Sequence, residues 1–160
     1  MASALRKLAA ATLFSLLRSI TSQNAKSDTA QLHPEMISHL VPVLHSNLED
    51  TESTTRELSC VCLSFVLEQM SAETFNAMWE TNARAIDSLY PRLLDLLDDS
   101  HDPVRMASCN TLLTIFLRLA HDADLEASSS YSIGISSLEN IISSLLIQLD
   151  DPDKQIQEHI

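Results

Sequence analysis

Four residues, Leu48-Glu49-Asp50-Thr51, come back 49 positions later as Leu97-Asp98-Asp99-Ser100, and a third time as Leu149-Asp150-Asp151-Pro152. Each copy leads through a short polar turn into a new apolar period. Thr55-Arg56, Ser59-Cys60 and Leu63 follow the first, and Val104-Arg105, Ser108-Cys109 and Leu112 follow the second. Backwards from the first copy, Leu5-Arg6, Leu8, Ala10 and Leu13 match Thr55-Arg56, Leu58, Cys60 and Leu63 at an offset of 50. A register held over so many positions limits the fold severely. Each unit must be one supersecondary element that buries its apolar face by stacking on copies of itself.

Each unit reads as two antiparallel helices. From Glu35 to Leu48 the apolar residues Met36, Ile37, Leu40, Val41 and Leu44 keep helical spacing. Pro42 lies inside this first helix and Pro91 holds the same place one unit later, so both helices are predicted to bend there. The second helix of the later unit is predicted to begin at Asp102 as cap, with Pro103 at its first helical position. Val104, Ala107, Leu112, Ile115, Phe116 and Leu119 then form its apolar face. The chain's one glycine, Gly134, leaves a glycine-rich β fold without turns. With aromatic residues at 4%, Leu, Ile, Ala and Met must fill the core.

The predicted fold is therefore an all-α solenoid of stacked antiparallel helix pairs. Residues 1–20 form the second helix of a partial repeat, 35–69 a repeat, 71–120 a repeat with an inserted helical segment, and 136–160 a partial repeat. The whole of 1–160 reads as a fragment of a longer array, in which Met1 need not be a natural start. Ser71, ahead of Phe75, Met78 and Trp79, is predicted to cap the inserted helical turn, and Asp122 to Tyr131, with Ser128-Ser129-Ser130, to be an exposed loop. Residues 3–20 are apolar, but Arg6, Lys7 and Arg18 fall on one face of a helical wheel, which describes an amphipathic helix. No apolar run approaches the ~20 residues of a membrane span.

Charge narrows the partners. There are 22 acids against 10 bases, for a net −12. Such a chain repels phosphate, so nucleic acid and anionic membranes are excluded as expected partners and a basic protein surface is favoured. Equivalent turns of a solenoid stack along one edge. That edge should carry Glu49, Asp50 and Glu52, then Asp98, Asp99 and Asp102, then Asp150, Asp151 and Asp153 as an acidic ridge. The simpler reading of the ridge is a solvated edge that caps helices. The second is a docking strip for a basic partner. Arg56 and Arg105 open successive second helices and can reach the aspartate of their own or a neighbouring turn, which makes them structural.

No pattern announces catalysis, a metal or a cofactor. Cys60 and Cys62 are two apart, so a helix turns them to nearly opposite sides, and Cys60 has Cys109 as its repeat equivalent. All three read as free thiols packed in a core, in a reducing compartment. His33, His39, His45, His101, His121 and His159 show no i, i+4 zinc pair. No G-x-S-x-G context surrounds any serine. The paired acids recur in one turn of each repeat, as capping residues do, and not as an active site would.

The spacing of Pro42, Asp50 and Arg56, repeated by Pro91, Asp99 and Arg105, resembles the HEAT family. Its pattern has a proline in the first helix, an aspartate in the turn and valine-arginine opening the second. Pro91, Asp99, Val104 and Arg105 match all four places, whereas Thr55 stands for the valine, Ser143 for the proline and Gln157 for the arginine elsewhere. Leu89-Tyr90-Pro91-Arg92-Leu93-Leu94 through Ser108, with Leu149-Asp150-Asp151-Pro152-Asp153-Lys154-Gln155-Ile156-Gln157-Glu158, is similar to the C-terminal repeats of the axonemal dynein assembly factors built of HEAT repeats. That resemblance implies a non-catalytic cytoplasmic factor that pre-assembles dynein arms with chaperones. It also implies axonemal dynein intermediate or heavy chains and co-chaperones as partners. The alternative is a general adaptor, such as a transport receptor or a phosphatase scaffold.

Overall fold

The computed structural model describes residues 2–24, 32–75, 83–125, 142–143 and 146–147. All regular structure among them is helical. In chain order it comprises α1 (Ala2–Asn24), α2 (Pro34–Asn47), α3 (Ser53–Glu68), a helical turn at 72–75, α4 (Ala83–Asp95) running into a 3₁₀ turn (Leu96–Asp98), and α5 (Asp102–Leu125).

Local chemistry sets each boundary. The His33 backbone is extended, its ring Nδ1 accepts from the Glu35 N–H at 3.4 Å, and Pro34 opens α2, where its missing N–H costs nothing. The Glu52 carbonyl accepts from the N–H groups of Thr55 and Arg56 to start α3, and the His101 carbonyl accepts from those of Val104 and Arg105 to start α5. The cap of α5 is thus His101, one residue earlier than predicted. Asp102 is helical, and Pro103 takes the second helical position, still among the four N–H groups that have no partner within a helix. Ser71 does cap the turn at 72–75, its Oγ accepting from the Thr74 N–H at 3.1 Å.

Helices α2 and α3 pack as a hairpin, as do α4 and α5, while α3 also packs against both α1 and α5. The second helices therefore form a continuous layer, α1–α3–α5, with α2 and α4 outside it. The core runs through this layer without a break. Equivalent positions have equivalent surroundings: Leu48 is 1% exposed and Leu97 2%, Leu63 and Leu112 are both fully buried, and so are Val66 and Ile115. Each buried leucine contributes about 2 kcal/mol.

Two ties cross between units beside the core. The Thr111 hydroxyl donates to the Cys60 carbonyl at 3.0 Å. Arg118 donates to the Met70 carbonyl at 2.9 Å, and its guanidinium lies 5.3 Å above the buried Phe75 ring, which fastens the 72–75 turn to α5.

Several expectations need correction. Met36 is exposed, because the inward face of α2 centres on Ile37, Val41 and Leu44. Helix α1 continues to Asn24, and α5 continues to Leu125, so 122–125 are helix and not loop; no glycine or proline stops either helix earlier. Pro42 and Pro91 do lie inside helices. The segments around Met78 and Trp79, Ser128 to Gly134 and Asp150 to Asp153 lie outside the described residues.

Four hydroxyls, of Thr55, Ser59, Ser108 and Thr111, are fully buried in this apolar layer. Ser108 and Thr111 donate to main-chain carbonyls, but Thr55 Oγ1 has no hydrogen-bond partner among the described residues. Thr55 also occupies the place that Val104 fills in the next unit. Replacing a buried unpaired hydroxyl by a methyl of the same shape removes a desolvation cost. Thr55→Val should raise stability by about 1 kcal/mol, read as a higher urea midpoint at unchanged slope. An unchanged or lower midpoint would show that the hydroxyl is satisfied.

Candidate protein-interaction surface

The turn between α2 and α3 is built around Asp50. Its Oδ1 accepts from the Glu52 N–H at 2.9 Å, and its carboxylate pairs with Arg6 of α1. Its main-chain carbonyl accepts from Arg56 Nη1 at 2.8 Å. One unit on, Asp99 repeats every contact. Its Oδ1 accepts from the His101 N–H at 3.0 Å, its carbonyl accepts from Arg105 Nη1 at 3.1 Å, and its carboxylate is gripped by Arg56 of the preceding unit. That grip is a two-pronged fork, with Nε to Oδ2 at 2.7 Å and Nη2 to Oδ1 at 2.9 Å. Each aspartate thus joins two arginines, one through its carboxylate and one through its carbonyl. The result is a ladder, Arg6–Asp50–Arg56–Asp99–Arg105, running along the stack.

The side chains of Asp50 and Asp99 are only 3% and 7% exposed. The Arg6 hydrogen bond, helped by the Glu52 N–H, holds Asp50 below the ordinary carboxylate pKa. Burial alone would raise Asp99, but the Arg56 fork and the His101 N–H outweigh it and lower the pKa.

The predicted acidic turn residues therefore face two ways. Asp50 and Asp99 are turned inward as ladder members. Glu49, Glu52, Asp98 and Asp102 are exposed. Glu49 pairs with Arg92, and Asp102 with Arg105 at 2.9 Å. Asp150, Asp151 and Asp153 lie outside the described residues. Sequence reasoning placed Arg56 and Arg105 in structural roles but missed Arg6 as a rung, although its register match to Arg56 was the available signal. It also missed a groove of about 430 Å³ between α3 and α5, on the face turned away from α2 and α4.

The three thiols are buried, and burial pushes Cys60 up to about 12 and Cys62 up to about 11 and also raises Cys109. Among the described residues no cluster of three His, Cys, Asp or Glu side chains is placed to hold a metal, and no helix is long and apolar enough to cross a membrane.

A family model described as HEAT repeat matches residues 89–119. Those residues are a repeat of the HEAT type. The chain is similar to dynein axonemal assembly factor 5 of Mus musculus, 34% identical over 121 residues, which is 76% of this chain and 13% of that protein. The Homo sapiens protein of the same name is 35% identical over the same share of this chain. The Xenopus laevis one is 27% identical over 98% of the chain and 16% of its own length. The chain thus spans 13% to 16% of the length of the relatives it matches. No solved structure matches it.

Removing one partner from a buried, forked ion pair strands the other charge. Asp99→Ala should cost about 3 kcal/mol in urea unfolding, against less than about 0.5 kcal/mol for the exposed Glu52→Ala. Equal costs would mean the ladder holds nothing. A carboxylate with a depressed folded pKa contributes its stability above the ordinary aspartate pKa of about 3.9 and loses it as pH falls through the folded value. Stability should therefore decline below about pH 4, more gently in Asp99→Asn. The thiols should react with an aromatic disulfide reagent only at the rate of unfolding; prompt reaction of Cys60 in the native protein would contradict its burial.

Proposed function

We propose that this chain is a non-catalytic protein-binding scaffold that serves the assembly of axonemal dynein arms in the cytoplasm, alongside chaperones. The observation that carries this is similarity to proteins named as dynein axonemal assembly factors across 76% of the chain. It is supported by a repeat architecture whose polar side chains are spent on holding helices together. The partners are axonemal dynein intermediate or heavy chains and their co-chaperones. The HEAT match alone, over 89–119, would equally fit a general adaptor such as a transport receptor or a phosphatase scaffold.

Within this reading the outward acids Glu52, Asp98 and Asp102 form a docking strip for a basic partner surface. Such a strip would act mainly on the rate of encounter. Titrating the chain with recombinant axonemal dynein intermediate chain tests both levels. Glu52→Gln, Asp98→Asn and Asp102→Asn together should slow association several-fold and flatten its salt dependence, with the fold retained because amide side chains still accept hydrogen bonds. Unchanged kinetics in the folded variant would reduce the strip to a capping edge. Normal dynein arms and motility in ciliated cells lacking the protein would remove the assembly role.

A further inference from the structure

One face of the second helix is wholly buried in both later layers. In α3 it carries Thr55, Ser59, Cys62 and Val66, and in α5 Val104, Ser108, Thr111 and Ile115, all fully buried. Ser108 and Thr111 show what covers them: one donates to the Leu93 carbonyl of α4, the other to the Cys60 carbonyl of α3. On this face a layer receives the first helix of its own unit and the second helix of the unit before. The equivalents in α1, at the offset of 50, are Leu5, Ala9, Thr12 and Leu16. All of these are exposed, Leu5 by 65% and Leu16 by 56%. Helix α1 packs against α3 through a different side, where Ala10 and Leu17 are buried and the Phe14 ring lies 5.9 Å from that of Phe65.

The exposed stripe is built like the buried ones. Thr12 Oγ1 donates to the Leu8 carbonyl at 2.8 Å, the same bond that Thr111 Oγ1 makes to the Ala107 carbonyl at 2.8 Å inside the stack. The hydroxyl can therefore be covered without stranding a donor. Leu8, 63% exposed, widens the apolar area. No charge falls on the stripe, since Arg6, Lys7 and Arg18 lie elsewhere on the helical wheel and α1 contains no acid. Such a face offers a charged partner nothing to recognise. Two chains of net −12 also repel each other least where they meet on a helix without acids. The spacing is its own mirror image, with intervals of four, three and four from Leu5 to Ala9, Thr12 and Leu16. A second α1 laid antiparallel on the first sets Leu5 beside Leu16 and Ala9 beside Thr12. The small side chains then lie at the centre, where they let the two backbones approach closely.

We propose that this uncovered face of α1 pairs with the same face of a second copy of the chain, antiparallel, about a two-fold axis between Ala9 and Thr12. A two-fold contact requires a patch that is complementary to itself, and the mirrored stripe of leucines around small residues is one. The second copy supplies the cover that α3 takes from α1 and α5 takes from α3. Arg6 stays on Asp50, so the ladder is undisturbed. This self-association goes beyond the scaffold reading, and either can fail without the other.

Sedimentation equilibrium of the whole chain should show a monomer–dimer equilibrium with a Kd on the order of 10 μM, in keeping with a contact at the small end of specific interfaces. Leu5→Glu with Leu16→Glu sets acids side by side across the axis and should weaken the dimer at least about tenfold. Both sites are exposed, so circular dichroism should show the fold intact. Leu5→Glu with Leu16→Lys sets opposite charges side by side and should recover most of the loss. Disulfide trapping reads the orientation, undisturbed by the native thiols, which are buried. An equimolar mixture of Leu5→Cys and Leu16→Cys chains should cross-link on oxidation. Neither variant alone should do so, because the two copies of one position lie about 16 Å apart along an antiparallel pair, beyond disulfide reach. A monomer at about 100 μM overturns the proposal, including one that instead pellets with phosphatidylserine vesicles. A dimer that survives the two glutamates overturns it as well, as does a loss that persists with the Glu and Lys combination, or cross-linking of either cysteine variant alone.

Discussion

In both described turns that join the two helices of a pair, one aspartate satisfies two arginines at once, and the geometry of the stack follows from this demand. The carboxylate of Asp99 is held by Arg56 of the unit before, and its carbonyl by Arg105 of its own unit. Apolar burial supplies most of the stabilisation but has no direction. Leu63 would pack as well against a neighbour shifted by one turn. A guanidinium fork on a carboxylate tolerates no such shift, because both prongs must land. A buried pair of this kind adds little net stability over an apolar one. What it adds is registry, so that helix α3 meets α5 at one height.

The same rung fixes the local turn. With Oδ1 of Asp50 accepting from Glu52 and Oδ1 of Asp99 from His101, the chain reverses and presents the carbonyls of Glu52 and His101 as starts for α3 and α5. One side chain therefore shapes the turn, starts the helix and locks the neighbouring unit. This accounts for the return of aspartate at these places in successive units while the residues beside it change.

Much of this was legible from periodicity alone. Charged residues recurring at fixed places among apolar ones stand out, and Arg56 and Asp99 were readable as a structural pair. Which of two adjacent acids turns inward was not readable: Asp98 and Asp99 differ only through the 3₁₀ turn that ends at Asp98. The same holds for Glu49 and Asp50. Met36 matched the apolar period yet lies exposed, since an apolar stripe wider than the contact leaves one edge in water. The buried hydroxyl of Ser108 was hidden because its acceptor, the carbonyl of Leu93, becomes available only through tertiary packing. The groove was hidden too, because recognising it requires knowing which face of α3 the first helices leave uncovered.

Comparing the units with one another separates what the fold needs from what it leaves free. Core positions hold their character from unit to unit: Leu63 with Leu112, Cys60 with Cys109, Val66 with Ile115. Groove positions do not. Val61 becomes Asn110, Phe65 becomes Thr114, and Glu68 becomes Leu117. If stacking alone governed that face, it would show the same residue types each time, as the core does. It instead carries an apolar and charged pattern particular to each layer. In a solenoid, where every layer repeats the same contacts, such positions are the ones available to specify a ligand.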